Sequence, residues 1–190
     1  MKKILLTMLV ASSLLLYSTP SFALLSLSVG VPMGQAITGK GAGSSYGNAP
    51  DKTSGYFLGA SFASIGLGID SYTTKFKTDG TDGSWDANLD AGLKTNMTNL
   101  FYQLPVPVIN LIIGLGVGTT EYDCTICESY FEKGSATQWY TSIGIPLIPL
   151  FDIHLSYRSI TSKNIIKNKM EGTKDDNSGS VTGLGIAFNF

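Results

Sequence analysis

The segment "FDIHLSYRS" places Asp152, His154, Ser156 and Arg158 two residues apart. In an extended chain that spacing puts all four on one face of one strand. His154 is the chain's single histidine. An imidazole beside a hydroxyl and a carboxylate is the raw material of nucleophilic acyl chemistry. The base activates the hydroxyl, and the acid orients the base. The same four side chains also make an ordinary hydrogen-bonded packing network. Asp70, Gln103 and Gln138 fall on the polar phase of other alternating segments and extend that network. Which reading holds depends on where that face points.

A second pair with chemical potential is "CTIC", Cys124 and Cys127. Two thiols with one distant histidine fall short of a zinc ligand set. A redox dithiol would need a helix start in a βαβ setting, which the pattern lacks. A disulfide within a loop is the expectation, in an oxidising compartment. Glu121, Asp123, Glu128 and Glu132 surround it and read as a solvated acidic loop that could hold a divalent cation weakly. No cofactor, metal-ligand cluster or phosphate-binding loop is implied.

The elements that must carry these residues are strands. Helical periodicity is weak throughout, while period-two alternation recurs in eight segments near 24–33, 55–63, 65–75, 96–104, 108–120, 136–146, 150–160 and 180–190. Lengths near nine to eleven residues suit tilted strands that cross a bilayer. Short links lie at Ser64, at "PVP" (105–107) and at "PLIP" (146–149). Long polar links lie near 34–54, 76–95, 121–135 and 161–177.

Charge decides between a soluble sandwich and a membrane barrel. Residues 24–39, 53–69, 95–120, 134–151 and 177–190 contain no Asp, Glu, Lys or Arg. The charges in the strand cores are Asp70, Asp152 and Arg158, all on the polar phase. A soluble sheet would carry Lys and Glu on its wet face. Here Gly, Ser, Ala and Asn stand there instead, as in the interior of a lipid-facing barrel. The inward glycines fit either a partly empty lumen or room for Phe57, Phe101, Ile112 and Tyr140, and the second is favoured because eight-stranded barrels fill with side chains. Aromatic residues form two girdles: Tyr56, Trp139 and Tyr157 at the outer rim, and Phe62, Tyr102, Phe151, Phe188 and Phe190 at the inner rim.

Residues 1–23 read as a secretory signal peptide: Lys2 and Lys3, an apolar run, then Ser21-Phe22-Ala23. Thirteen basic residues less those two lysines leave eleven against fourteen acidic, a net charge of about −3 over 24–190. That excludes a nucleic-acid partner. The fold class is therefore all-β: an eight-stranded antiparallel up-and-down transmembrane barrel over 24–190.

On this pattern the chain resembles the small eight-stranded outer-membrane barrels of Gram-negative bacteria, the class of OmpX and the OmpA membrane domain. The resemblance implies an outer-membrane location, periplasmic termini, extracellular long loops and a monomer. Its partners would be outer-membrane lipids and lipopolysaccharide, with a host or cell-surface ligand reached through the loops. The ending "VTGLGIAFNF" resembles the C-terminal signature read by the barrel assembly machinery. "HLS" is similar to the His-x-Ser pair of the lipid A deacylase barrels (PagL-like), which implies an esterase triad opening on the outer wall. In this chain Ile153, Leu155 and Tyr157 take that wall. The expected function is a non-enzymatic surface barrel. The alternatives are a narrow channel or carrier for small solutes and a lipid A-modifying esterase.

Overall fold

The computed structural model describes residues 24–39, 50–76, 92–104, 106, 109–124, 130–148, 150–167 and 174–190. Cys127, Glu128 and the signal-peptide expectation over 1–23 lie outside them. The strands are β1 (Leu25–Ile37), β2 (Pro50–Phe62), β3 (Ile65–Phe76), β4 (Gly92–Leu104), β5 (Asn110–Asp123), β6 (Gly134–Ile148), β7 (Phe151–Ile165), β8 (Lys174–Asp176) and β9 (Gly179–Asn189). Each pairs antiparallel with its neighbour. β9 pairs with both β1 and β7, so the sheet closes into a barrel of eight strands, with β8 as a short piece before β9. Closure leaves no free edge at membrane depth, where each unpaired backbone group would cost several kcal/mol.

The strands are longer than the alternation predicts, and the reason is a change of solvent along the barrel. In the short-turn half, apolar side chains face out: Leu67, Leu100, Leu115 and Leu155 are all exposed. In the long-loop half they face in: Tyr72, Leu93, Met97, Ile160 and Val181 are buried. Their outward neighbours, such as Lys94 and Lys163, are polar and exposed. A lipid-facing barrel thus continues as a water-facing one. The apolar phase inverts through an odd step of three: Ile69 to Tyr72, Met97 to Leu100, Tyr157 to Ile160, Val181 to Leu184. Segments within 34–54, 76–95, 121–135 and 161–177 that read as polar links are therefore partly strand, including Gly34–Ile37, Gly92–Lys94 and Thr161–Ile165.

Turn boundaries also shift. The β2–β3 turn is Ala63-Ser64, both at positive φ (46° and 75°), which matches the two-residue hairpin whose twist suits the flanking strands. β6 runs through Pro146 to Ile148, with a bulge between Pro146 and Ile148 that absorbs the proline.

One wall is incomplete. β1 pairs with β2 only from Leu25–Phe62 to Gly30–Phe57, although both strands continue and pair with their other neighbours. Leu25 exchanges both backbone bonds with Phe190. Odd-numbered residues at the start of β1 therefore turn their backbone groups to β9 and even-numbered ones to β2. The next bonded pair would be Pro32 with Gly55. Pro32 has no N–H to give. Gly55 sits at φ +148°, and a Cβ there would lie 2.2 Å from the Ser71 carbonyl oxygen. The ladder stops where the sequence removes its donor, and β1 takes a bulge against β9 between Pro32 and Gly34.

Candidate functional site

Chemistry-bearing side chains lie in three layers inside the barrel and in one cavity at its long-loop rim. The middle layer is a crossbar. Arg158 on β7 donates from Nε to Asp70 Oδ2 on β3 at 3.0 Å. In the order β6-β5-β4-β3-β2-β1-β9-β7, closed by β6–β7, these two strands stand opposite each other. Gln138 Nε2 donates to Asp70 Oδ2 and to Asn99 Oδ1, both at 2.6 Å. Arg158 Nη1 donates to Ser156 Oγ at 2.5 Å. The guanidinium lies 3.5 Å from the Phe57 ring centroid and 4.9 Å from that of Tyr140. Both charges are buried, so each depends on the other and on these contacts for what water would have supplied.

Toward the short turns lies the His154 layer. His154 Nδ1 is 3.2 Å from Ser142 Oγ, and Nε2 is 3.7 Å from Asp152 Oδ2. Asn110 and Asn189 donate to Asp152 Oδ2 at 3.0 and 2.8 Å. Serine, histidine and aspartate do come together, but the serine is Ser142. Ser156 instead accepts from Arg158 and donates to the Gly183 carbonyl at 3.3 Å. Hairpin arithmetic around "PLIP" misses this, because the bulge between Pro146 and Ile148 shifts the register, so that Ser142 faces Ser156 and Gly144 faces His154. The cavity beside this layer holds about 60 Å³. That is room for roughly four waters at most.

Glycines and rings explain the small volume. A Cβ on Gly114 would come within 2.2 Å of the Tyr140 ring, and one on Gly66 within 2.1 Å of the Phe101 ring. The inward glycines here are sockets for aromatic side chains from facing strands. Toward the long loops, Phe57, Tyr72, Met97, Ala136, Ile160 and Val181 pack into one buried cluster across the lumen.

The third layer is a polar lid. Thr120 Oγ1 bonds the Ser162 hydroxyl and donates to Asn164 Oδ1 at 2.9 Å. Asn164 Nδ2 donates to the Thr120 carbonyl at 3.0 Å, and Asn177 Nδ2 donates to Asn164 Oδ1 at 3.2 Å. The Tyr122 hydroxyl donates to Asp175, and the Asn177 side-chain amide lies 3.0 Å from it. Sequence reading missed Ser142, Asn99, Asn110, Asn164 and Asn177. The odd-step inversion was the available signal for the last two, since it moves the inward phase in the upper strands. Asp176 beside the lid is held below the usual carboxylate range by its bonds to the Ser178 hydroxyl and amide, the amide donating at 3.0 Å.

Of the other expected residues, Gln103 is half-buried near the short-turn end, where its backbone N–H donates to the Ser64 carbonyl. The girdle residues Tyr56, Phe62, Tyr102, Trp139, Tyr157, Phe188 and Phe190 are exposed on the outer wall, and Phe151 is half-buried against Phe188 with ring centroids 5.3 Å apart. Cys124 is disulfide-bonded. Glu121 is held between Lys94 and Lys133, at 3.4 Å from each.

No protein-family model and no curated protein matches the sequence. Solved structures match its shape. Neisserial surface protein A superposes with a TM-score of 0.57 at 11% identity, over 87% of this chain and 96% of that one. The E. coli outer membrane protein W superposes with a TM-score of 0.50 at 12% identity, over 88% of this chain and 98% of that one. The chain therefore has the fold of the small outer-membrane β-barrels.

Proposed function

We propose that this chain is an integral outer-membrane barrel, non-enzymatic, whose work is done at its long-loop end and not through its lumen. The observation that carries this reading is the filled interior. The Arg158–Asp70 crossbar, the cluster around Tyr72 and Met97, and the Asn164 lid lie one above another, and the cavity beside the His154 layer is only about 60 Å³. Exposed apolar walls and two aromatic bands support a membrane position. The long-loop end then faces the medium, both termini face the periplasm, and the protein is a monomer inserted by the barrel assembly machinery.

The test is conductance of the refolded protein in planar bilayers. The expected trace shows no discrete openings. Reproducible single-channel steps in the wild type that disappear when Phe57 or Met97 is crosslinked in place would replace this reading with the channel. A hydrolytic reading is favoured only by the Ser142–His154 contact. It needs the ester of a lipid chain to reach a cavity with room for only about four waters. A lipid A mass profile that is the same with wild type, Ser142→Ala and His154→Asn is the expected result, and acyl loss confined to the wild type would establish the esterase.

A further inference from the structure

Asp152 carries a charge that no fixed cation in the fold balances. It is buried, and a buried carboxylate needs a counter-charge as well as hydrogen bonds. Arg158 is paired with Asp70 one layer above. Among the described residues, every lysine lies in the long-loop half. Asp152 lies at the other end. It is the second residue of β7, and it meets Asn110, the first of β5, and Asn189, the last of β9. These strand ends bring one carboxylate, two amides and His154 together at the short-turn mouth of the barrel.

Three electron-pair donors there are left without partners. His154 Nε2, Asn110 Oδ1 and Asn189 Oδ1 are buried and make no hydrogen bond. The 3.7 Å from Nε2 to Asp152 Oδ2 is too long for one. It is close to the separation of two ligands on one small ion, since ligands about 2.1 Å from a tetrahedral centre stand about 3.4 Å apart. The Asn110 and Asn189 amide nitrogens lie 3.0 and 2.8 Å from the same Oδ2. A half-turn of either amide puts its unpartnered oxygen in that place. The imidazole is fixed by its surroundings. A Cβ on Gly144 would lie 2.5 Å from His154 Cε1, so the ring fills the space a side chain would take. Nδ1 is 3.2 Å from Ser142 Oγ. With Nδ1–H donating to that hydroxyl, Nε2 turns a lone pair toward Asp152, and metal-binding histidines are oriented through their second nitrogen in this way. A proton on Nε2 would serve Asp152 but leave both amide oxygens unpartnered. A divalent cation serves all four groups.

We propose that Asp152, His154, Asn110 and Asn189 form a site for one divalent transition ion of the zinc class. Imidazole nitrogen beside carboxylate and amide oxygen suits such an ion better than calcium or magnesium. The ion ties the closing strand β9 to β5, with which it shares no ladder. The donors come from three strands and two of them are amides, so no ligand cluster shows in the sequence. The site stands independently of the orientation and the surface role proposed above.

The test uses the full chain without an affinity tag, refolded in micelles and dialysed against micromolar zinc. Zinc X-ray absorption then reads the ligands. The chain has a single histidine, so imidazole scattering can come only from His154. The expected result is one zinc per chain, with one imidazole among nitrogen and oxygen ligands and no sulfur. Affinity should fall at least about tenfold in Asp152→Asn and in Asn110→Ala/Asn189→Ala. Glu121→Gln/Asp123→Asn should leave it unchanged; these residues line the competing carboxylate site, a cavity of about 620 Å³ at the long-loop rim. Far-UV circular dichroism restricts the comparison to folded samples, and the wild-type absorption spectrum decides by itself if a variant does not fold. No bound zinc, or bound zinc without imidazole scattering, would overturn the site. Imidazole-ligated zinc held equally well by Asp152→Asn would overturn the donor set.

Discussion

Removing one end of the crossbar should cost far more than removing both. Asp70→Ala leaves the Arg158 guanidinium buried, with Ser156 Oγ and two aromatic faces but no anion. A buried charge deprived of its partner costs about 3–5 kcal/mol. Arg158→Met should cost a similar amount, because Asp70 is then left with the Gln138 amide alone. Asp70→Ala/Arg158→Met removes both charges and leaves an apolar chain that can lie between Phe57 and Tyr140. Its cost should be about 1–2 kcal/mol, so the two sites should couple by about 4 kcal/mol or more in a double-mutant cycle. The measurement is urea unfolding from lipid vesicles, read by Trp139 fluorescence in a Trp85→Phe background. Trp139 is exposed on the lipid wall and reports loss of the barrel directly. Additive costs, or an Asp70→Ala penalty below about 1 kcal/mol, would mean that water reaches the guanidinium and that the interior is not the sealed medium described above.

Gly114→Ala should destabilise by about 1–3 kcal/mol, because its Cβ would displace the Tyr140 ring; unchanged urea midpoints would show that the glycine is not a socket. Gly55→Ala should cost a comparable amount, since φ +148° and the Ser71 carbonyl both exclude a side chain, while Pro32→Val should be nearly neutral; the same unfolding assay checks both, and a neutral Gly55→Ala would show that the backbone there accepts a side chain. The Ser178 amide resonance should titrate with a midpoint below the ordinary Asp value near 3.9. The Asp176 carboxylate is depressed in the folded state, so its bond is present above that range and lost as the pH falls through the folded pKa; a midpoint at or above about 4 would refute the assignment.

What the sequence made legible follows from where lipid imposes a rule. In the lower half, apolar-out alternation and the absence of charge pointed to strands and put Asp70, Asp152, His154 and Arg158 on the polar phase, and all four are buried. In the upper half, both faces of the wall meet ordinary protein demands: water outside, packing inside. There the same chain reads as loop, because outward Lys94, Glu121 and Lys163 look like link residues until Leu93, Thr120 and Asn164 are seen to be buried between them. Long-range pairing was the other limit. The Arg158–Asp70 contact joins residues 88 apart, and nothing local in either strand specifies which inward acid an inward arginine will meet. Ser142 was missed for a smaller reason, a one-residue bulge that moves the register of a hairpin.

The short β1–β2 ladder also has a meaning in time. β1 has six register pairs on β2, its neighbour in the chain, and eleven on β9, which lies about 150 residues further along. A hairpin usually secures its first strand early, because closing a short loop costs little entropy. Here most of what holds the first strand is contributed by the most distant partner available. Contacts at such separation are the slow ones in folding. β1 is therefore a strand in waiting, half-attached through Leu25–Gly30 while its upper part has no partner, and the wall around it becomes cooperative only when β9 is in place.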